Sequence, residues 1–217
     1  MKLNIQDISK SYGSNRALQH FSAELEPGIY ALLGPNGSGK STLMNIITDN
    51  LAADSGSITY CEDREGAQPE DVRKMGVRFR EKLGFMPQYP GMYPNFTVER
   101  FLWYMASLKG MDKNTASVNV PEVLSAVGLS DVAVHRVGTF SGGMKQRLAL
   151  AQATLGDPKI IILDEPTAGL DPKQRISVRN YISSIALQRI VIIATHVVPD
   201  IEFIAKEAII LKKREDY

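Results

Sequence analysis

Cysteine is nearly absent from this sequence: Cys61 is the single one among 217 residues, so no disulfide can form within the chain. We therefore expect the protein to work in a reducing compartment. Long hydrophobic runs are also missing. The longest aliphatic runs span residues 160–163 and 190–194, far below the roughly 18–20 apolar residues that a membrane-spanning helix needs. If the protein acts on a membrane, we expect it to do so through a partner.

A charge excess of either sign is missing as well. Lys and Arg total 25 and Asp and Glu total 24, which gives a formal net charge of +1. A typical nucleic-acid-binding protein is strongly basic, so we expect no nucleic-acid partner. Residues 1–4 turn polar at once, and we expect no secretory signal peptide. With 44% hydrophobic and 23% charged residues, the composition is that of an ordinary globular protein and excludes a disordered chain.

The hydrophobic pattern that is present predicts alternating strands and helices, and hence an α/β fold. Helical spacing extends over residues 96–136, where Pro121 is expected to break or start a helix. The charged residues 61–82 predict an excursion of the chain between elements. Short apolar runs bounded by polar residues are typical of strands buried in a parallel sheet. The predicted strands cover residues 3–8, 23–25, 28–33, 57–60, 83–86, 160–163 and 190–194, and further helices cover residues 41–48 and 176–186.

A glycine-rich loop joins the predicted strand at residues 28–33 to the helix that follows it. Residues 34–41 read Gly-Pro-Asn-Gly-Ser-Gly-Lys-Ser, the pattern of a phosphate-binding loop. The glycines let backbone N–H groups point at an anion, and the positive end of the helix dipole adds to the attraction. Lys40 is expected to neutralise the β- and γ-phosphates, and Ser41 to ligate Mg²⁺. The alternative is a glycine-rich turn with a solvated lysine.

Two carboxylates, Asp164 and Glu165, follow the aliphatic run at residues 160–163. A buried strand cannot hold an unpaired charge, so they are expected where the strand emerges, at the edge where open α/β sheets bind ligands. We interpret Asp164 as a Mg²⁺ ligand acting through a water, and Glu165 as the general base that polarises the water attacking the γ-phosphate. The alternative is a capped turn with two solvated acids.

A second candidate cradle for phosphate lies at Ser141, Gly142 and Gly143, just before a helix rich in Leu and Ala. Ser141 is a good helix cap, and the two glycines expose backbone N–H groups at the positive end of the helix. The chain has two such cradles but one acidic strand end. This suggests that the second cradle binds a nucleotide other than the one held by residues 34–41 of the same chain.

These patterns resemble the nucleotide-binding subunit of ATP-binding cassette (ABC) transporters, over about residues 1–214 and in the motif order of that family. The matches are Walker A at 34–41, the Q-loop at Gln88, the signature at 140–146, Walker B with its catalytic glutamate at 160–165, the D-loop at 168–171, the switch histidine at His196, and at Tyr12 an aromatic residue that stacks on adenine.

The resemblance implies a single domain over residues 1–217. It would have a RecA-like P-loop NTPase core, an antiparallel β subdomain and a helical subdomain inserted at about residues 88–158. It also implies ATP and Mg²⁺ as ligands, a membrane-spanning permease subunit as partner, a second copy or related cassette that completes a head-to-tail dimer, and a peripheral place on the cytoplasmic face of the membrane. Hydrolysis would open the dimer and move a substrate through the permease.

The site residues that follow fall into three groups. The catalytic group is Glu165, His196 and Gln88, and the metal group is Ser41, Gln88 and Asp164. The nucleotide-binding group is Tyr12, Gly34, Pro35, Asn36, Gly37, Ser38, Gly39, Lys40, Ser41, Thr42, Ser141, Gly142, Gly143 and Asp171. Each of four residues also has a structural interpretation: Tyr12 as a core aromatic, Asp171 as a helix cap, Gln88 as a surface amide and His196 as a structural histidine. The cluster of Phe96, Phe101, Trp103 and Tyr104 is interpreted either as the face that receives the permease or as helical core.

The signature departs from the usual Leu-Ser-Gly-Gly-Gln of the family, because Phe140 replaces Leu and Met144 replaces Gln. Its form is most similar to that of subunits of ABC-2 type exporters, including those for lantibiotics and bacitracin, and export is therefore expected. The competing interpretations are a soluble ABC ATPase that moves no cargo and a non-ABC phosphate-loop enzyme such as a small kinase.

Overall fold

Two β-sheets organise residues 1–212, the part of the chain that the computed structural model describes. The predicted domain runs on to Tyr217, and residues 213–217 lie outside the described residues. The larger sheet is built from β3 (Gly28–Leu33), β6 (Leu83–Met86), β7 (Ile160–Asp164), β8 (Ile190–Ala194) and β9 (Glu207–Ile210). These strands pair in parallel in the order β6-β7-β8-β3-β9.

The smaller sheet is antiparallel. It contains β1 (Lys2–Tyr12), β2 (Asn15–Leu25), β4 (Ser55–Cys61) and β5 (Glu70–Asp71) in the order β2-β1-β4-β5. The first two strands are much longer than predicted. Their pairing continues through several register shifts. Asp7 and His20 have φ angles of +53° and +49° at these irregularities. Bulges of this kind break the alternation of apolar and polar residues on which the prediction depends.

The helices complete the fold. They are α1 (Lys40–Ile47), α2 (Val72–Met75), α3 (Val77–Arg80), α4 (Val98–Leu108), α5 (Lys113–Ala126), α6 (Gly142–Thr154) and α7 (Pro172–Ala186). Residues 61–82, predicted as an excursion between elements, hold β5 and the short helices α2 and α3. Asp71 starts α2 by accepting hydrogen bonds from the N–H groups of Arg73 and Lys74, a local signal too short for a periodicity argument.

Pro121 neither breaks nor starts a helix, and that prediction is wrong: it lies inside α5. The helix begins at Lys113 because the Asp112 side chain accepts from the N–H groups of Asn114 and Thr115. Its buried face then carries it past the proline, since burial of an apolar face contributes more to helix stability than local propensity does. Those buried residues are Ala116, Val120, Val123 and Leu124.

The parallel sheet separates two hydrophobic clusters. Ile161, Leu163 and Ile193 face the cluster that includes buried residues of α4, α5, α6 and α7. Ile160 and Ile192 face the cluster formed with α1 and the antiparallel sheet. Side chains of one strand thus alternate between two covered faces. The predicted fold class, an α/β core with an antiparallel sheet and inserted helices, is confirmed.

Candidate nucleotide site

A polar cleft of about 380 Å³ opens where β3 and β7 end. This is the carboxyl edge of the parallel strands, where α/β sheets bind ligands. The cleft brings together residues from the start of the chain, the glycine-rich loop, the segment after β6 and the acidic end of β7. They are Tyr12, Asn15, Ala17, Asn36, Gly37, Gly39, Lys40, Ser41, Thr42, Gln88, Asp164 and Glu165.

The glycine-rich loop has a backbone that glycine alone adopts easily. Gly37 and Gly39 have φ angles of +81° and +96°, in the region that side chains rarely reach. A Cβ on Gly39 would also lie 2.4 Å from the Ala17 carbonyl oxygen. The Lys40 Nζ donates to the carbonyl oxygens of Gly34 at 2.6 Å and Pro35 at 3.0 Å. The loop is therefore wrapped around its own ammonium group at the start of α1.

The loop fits a phosphate. Ser38 is 5% exposed, and its buried hydroxyl has no hydrogen-bond partner within residues 1–212. Buried polar groups are nearly always paired, so such an atom marks a place for a ligand. The first turn of α1 carries no acidic residue that would compete for an anion, and the N-terminal end of a helix attracts one.

The same edge of the cleft fits Mg²⁺. Ser41, Gln88 and Asp164 supply oxygen atoms there, the ligand type that Mg²⁺ prefers while keeping several waters. Burial, and next the negative charge of Glu165, raise the pKa of Asp164, and the Lys40 ammonium acts in the opposite direction. A bound cation would relieve this cost. Within the described residues no group of three or more His, Cys, Asp or Glu forms a separate metal cage.

Glu165 is the most constrained side chain of the site. It is 7% exposed, and its Oε2 accepts from the Thr195 hydroxyl at 3.0 Å. Its Oε1 accepts from the backbone N–H of His196 at 3.1 Å and lies 2.6 Å from His196 Nδ1. Asp164 lies next to it, so a buried carboxylate, a histidine and a second acid meet at one edge of the cleft. Thr195 was not predicted from the sequence, and its position directly before His196 was the only available signal.

The second cradle lies outside this cleft. The Ser141 hydroxyl accepts from the N–H of Met144 at 3.3 Å and starts α6 as predicted. A Cβ on Gly142 would meet open space, whereas one on Gly143 would lie 3.0 Å from Gln174 Oε1 and 3.2 Å from Leu170 Cδ2. None of the residues 141–143 lines the cleft around Lys40, so the chain carries two separate candidate anion sites.

Several predicted residues had a structural alternative. Tyr12 is 50% exposed and lines the cleft, so the core alternative is wrong. Asp171 accepts from the Gln174 N–H at 2.8 Å and caps α7, and its contact with a partner stays a prediction. Gln88 lines the cleft, and His196 adjoins it through Glu165.

The aromatic cluster divides between its two interpretations. Phe101 is buried in the helical core, and Phe96 and Trp103 pack against that core. Tyr104 is 38% exposed, and it meets Tyr93 edge-on at a centroid distance of 5.4 Å. Core packing therefore accounts for most of the cluster, and the outer tyrosines are left at the surface.

Comparisons with known proteins agree with this geometry. A model of the family described as ABC transporter matches residues 18–168. The chain is 36% identical over 214 residues to the uncharacterised ABC transporter ATP-binding protein YxlF of Bacillus subtilis, covering 98% of this chain and 68% of YxlF. It is 36% identical over 223 residues to the lantibiotic transport ATP-binding protein SrtF of Streptococcus pyogenes, covering 99% of this chain and 91% of SrtF.

Among solved structures, the dimeric structure of MJ0796, a bacterial ABC transporter cassette, superposes with a TM-score of 0.82 at 25% identity, covering 97% of this chain and 94% of MJ0796. In residues 1–212, no helix is both long and apolar enough to cross a bilayer. The phosphate loop, the acidic strand end, the second cradle and the family match coincide in one molecule, and the chain belongs to the ABC transporter family as an ATP-binding cassette.

Proposed function

We propose that this cassette hydrolyses ATP to power export of a substrate through a separate membrane-spanning permease, from a peripheral position on the cytoplasmic face of the membrane. The observation that carries the proposal is the buried Glu165 carboxylate, fixed by Thr195 and His196 at the edge of the cleft that holds Lys40. A fixed carboxylate beside a phosphate loop is the arrangement that general-base hydrolysis needs.

The residues divide the chemistry between them. Lys40 and the loop N–H groups would neutralise and orient the triphosphate, and Tyr12 would stack on adenine, since it lies exposed in the same cleft. Glu165 would take the proton of the attacking water. His196 would orient the Glu165 carboxylate, since its Nδ1 lies 2.6 Å from Glu165 Oε1. Ser41, Gln88 and Asp164 would hold Mg²⁺, which supplies positive charge for the leaving phosphate oxygens. Positioning and charge account for most of the catalysis of phosphoryl transfer.

A head-to-tail dimer accounts for the second cradle. Ser141 and Gly142 lie on the exposed surface at the N-terminal end of α6, outside the cleft of their own chain. A second copy, or a related cassette, would bring them against the triphosphate held by Lys40 of its partner. The dimeric state of MJ0796 supports this arrangement. A twofold axis then creates two equivalent ATP sites.

A groove beside the cleft offers a place for the permease. It has a volume of about 410 Å³ and a mostly apolar lining, with Tyr89 almost fully exposed at its rim. Exposed apolar surface of this kind marks interaction sites. The transport role in the name of SrtF supports export. The lining residues are Gln88, Tyr89, Pro90, Met92, Pro94, Val137, Gly138, Lys145 and Gln146.

Two variants test the ATPase and the dimer separately. Lys40→Ala should abolish ATP binding or hydrolysis, whereas Lys113→Ala, at an exposed position on α5, should change neither. Ser141→Arg should spare ATP binding by the monomer and block ATP-dependent dimerisation, and Ser130→Arg, also exposed, is its control. Wild-type affinity and turnover in Lys40→Ala would overturn the loop assignment, and an ATP-dependent dimer of Ser141→Arg would overturn the shared site.

Transport is tested by purification from the source membrane. Specific co-purification of the cassette with a polytopic membrane protein is expected. Recovery of the cassette without any membrane protein, together with full ATPase activity, would favour a non-transport ABC ATPase.

A further inference from the structure

Gln146 joins the signature helix, α6, to the backbone of Glu165. It lies on α6, three residues after Gly143, and its Nε2 donates to the backbone carbonyl oxygen of Glu165 at 2.6 Å. The contact spans 19 positions of sequence and links the helical part of the chain to the end of β7. No sequence motif predicts this contact, since Gln146 belongs to the signature and Glu165 to the acidic end of β7.

Glu165 needs such support. Its φ angle is +52°, a left-handed conformation that a non-glycine residue keeps only where its surroundings fix it. Its N–H donates to the Ala194 carbonyl at 2.8 Å, and its carbonyl accepts from Ala168 N–H at 3.1 Å as well as from Gln146. The carboxylate is held by the segment after β8. Gln146 is thus the tie that comes from α6.

A second contact strengthens the same link. Gly143 approaches Leu170 so closely that a Cβ there would lie 3.2 Å from Leu170 Cδ2. The first turns of α6 therefore rest on the segment 165–170 at two points. A shift of the N-terminal end of α6 must move this segment or break the bond from Gln146, since packed interiors deform little.

We propose that Gln146 is a positioning residue for hydrolysis. It holds the backbone carbonyl of Glu165, and so couples the position of the general base to the position of α6 in the same chain. In the proposed dimer this helix grips the ATP of the partner, and the inference rests on that proposed function. Each chain would then hydrolyse its own ATP efficiently only when its signature is engaged at the other site. Gln146 also lines the groove next to Gln88, so a docked permease reaches the same link.

Gln146→Met keeps the length of the side chain and removes the donor. Loss of one hydrogen bond that positions a reacting residue corresponds to about a 10-fold change in rate. We expect kcat for ATP to fall about 10-fold while KM stays within about 2-fold of wild type. Gln152→Met, six residues further along the same helix, is the matched control and should leave both constants unchanged.

The grip of the signature on ATP is measured separately. On a Glu165→Gln background, where the ATP-bound dimer is expected to accumulate, Gln146→Met should not reduce the dimer fraction seen by size-exclusion chromatography. A parallel loss of dimer and kcat would show that the residue only supports α6, and would overturn the positioning role. Unchanged kcat in Gln146→Met would overturn it directly.

Gln146→Glu gives a second readout that does not depend on packing. A carboxylate cannot donate to the Glu165 carbonyl, whereas a protonated carboxyl can. A glutamate has an ordinary pKa of about 4.3, so this variant is ionised at pH 7 to 8 and its kcat should fall about 10-fold or more there, as in Gln146→Met. A wild-type kcat in Gln146→Glu would contradict the inference. If wild-type protein itself hydrolyses no ATP, the proposed function fails; if wild type is active and all Gln146 variants match it, only the positioning role fails.

Discussion

Replacing Glu165 by glutamine separates the chemistry of the site from its architecture. The carboxylate accepts from the Thr195 hydroxyl at 3.0 Å and from the His196 N–H at 3.1 Å. A glutamine oxygen can keep the bond from His196. Its NH₂ group can donate to the Thr195 hydroxyl, which already accepts from Val197 N–H at 3.0 Å but retains a second lone pair. The number of hydrogen bonds is therefore kept, but their acceptor is no longer charged, and we expect the fold to lose about 1 kcal/mol.

Catalysis should suffer far more than stability. A general base contributes about 10²–10⁴-fold to rate, so kcat of Glu165→Gln should fall by that factor. ATP binding should persist, because the loop around Lys40 and the aromatic ring of Tyr12 are untouched. Loss of the Glu165 charge also removes one of the causes that raise the pKa of Asp164, which favours the ionised metal ligand. Bound ATP that is not hydrolysed should then hold the dimer closed.

The assay combines steady-state phosphate release with size-exclusion chromatography in ATP and Mg²⁺. The expected result is a slow enzyme that elutes as an ATP-dependent dimer, while Glu122→Gln, at an exposed position on α5, behaves as wild type. Unchanged turnover in Glu165→Gln would refute the general-base role. A variant that is slow because it no longer binds ATP would refute the claim that the amide preserves the site.

Substitutions at three further positions test other parts of the molecule. Gly84→Ala would place a Cβ 1.9 Å from the Ala153 carbonyl oxygen, and this overpacking between β6 and α6 should lower the unfolding free energy in urea by about 3 kcal/mol; wild-type stability would contradict that packing. Burial lowers the pKa of Lys109 from 10.5 to about 8, so the unfolded chain binds the proton more tightly between these pH values. Unfolding free energy should therefore rise from pH 8 to about 10.5, by at most about 3 kcal/mol, and Lys109→Met should abolish that rise; an identical pH dependence would refute it. Tyr12→Ala should weaken ATP binding about 10-fold or more if the ring stacks on adenine, and Tyr12→Phe should not; equal affinity of all three proteins would exclude the stacking role.

The parallel sheet could be predicted from sequence because its strands obey one physical rule. The strands at residues 28–33, 83–86 and 190–194 were predicted with the bounds that the structure shows. Each is an apolar run that is buried on both faces and ends where polar residues begin. The run at 160–163 was predicted one residue short, since Asp164 still pairs with Ala194 although it carries a charge. The ladder continues past the apolar run there because the carboxylate emerges into the cleft.

The remainder could not be predicted because it depends on contacts between distant segments. The sequence places Gln146 and Glu165 in separate motifs, and only the packing of α6 against the end of β7 brings the amide to 2.6 Å from the carbonyl. The close approach of Gly84 to Ala153 depends on the same packing. The continuation of α5 past Pro121 likewise follows from a buried face and a cap. A local rule assigns the proline a break, and tertiary burial overrides it.

The departures of this chain from the family signature follow the division between its interior and its surface. Phe140, in place of the usual leucine, is 6% exposed within the core that the inserted helices share with the sheet. Met144, in place of glutamine, packs its side chain against that core and uses only its backbone N–H toward Ser141. Ser141 and Gly142, by contrast, are exposed at the N-terminal end of α6. Phenylalanine in place of leucine keeps the apolar character of a core position, and methionine in place of glutamine adds an apolar side chain of similar length where it packs against that core. A backbone that must approach a phosphate does not tolerate added side chains. The part of the signature that could meet a triphosphate is therefore the part that matches the family, and the part that differs faces the interior of its own chain.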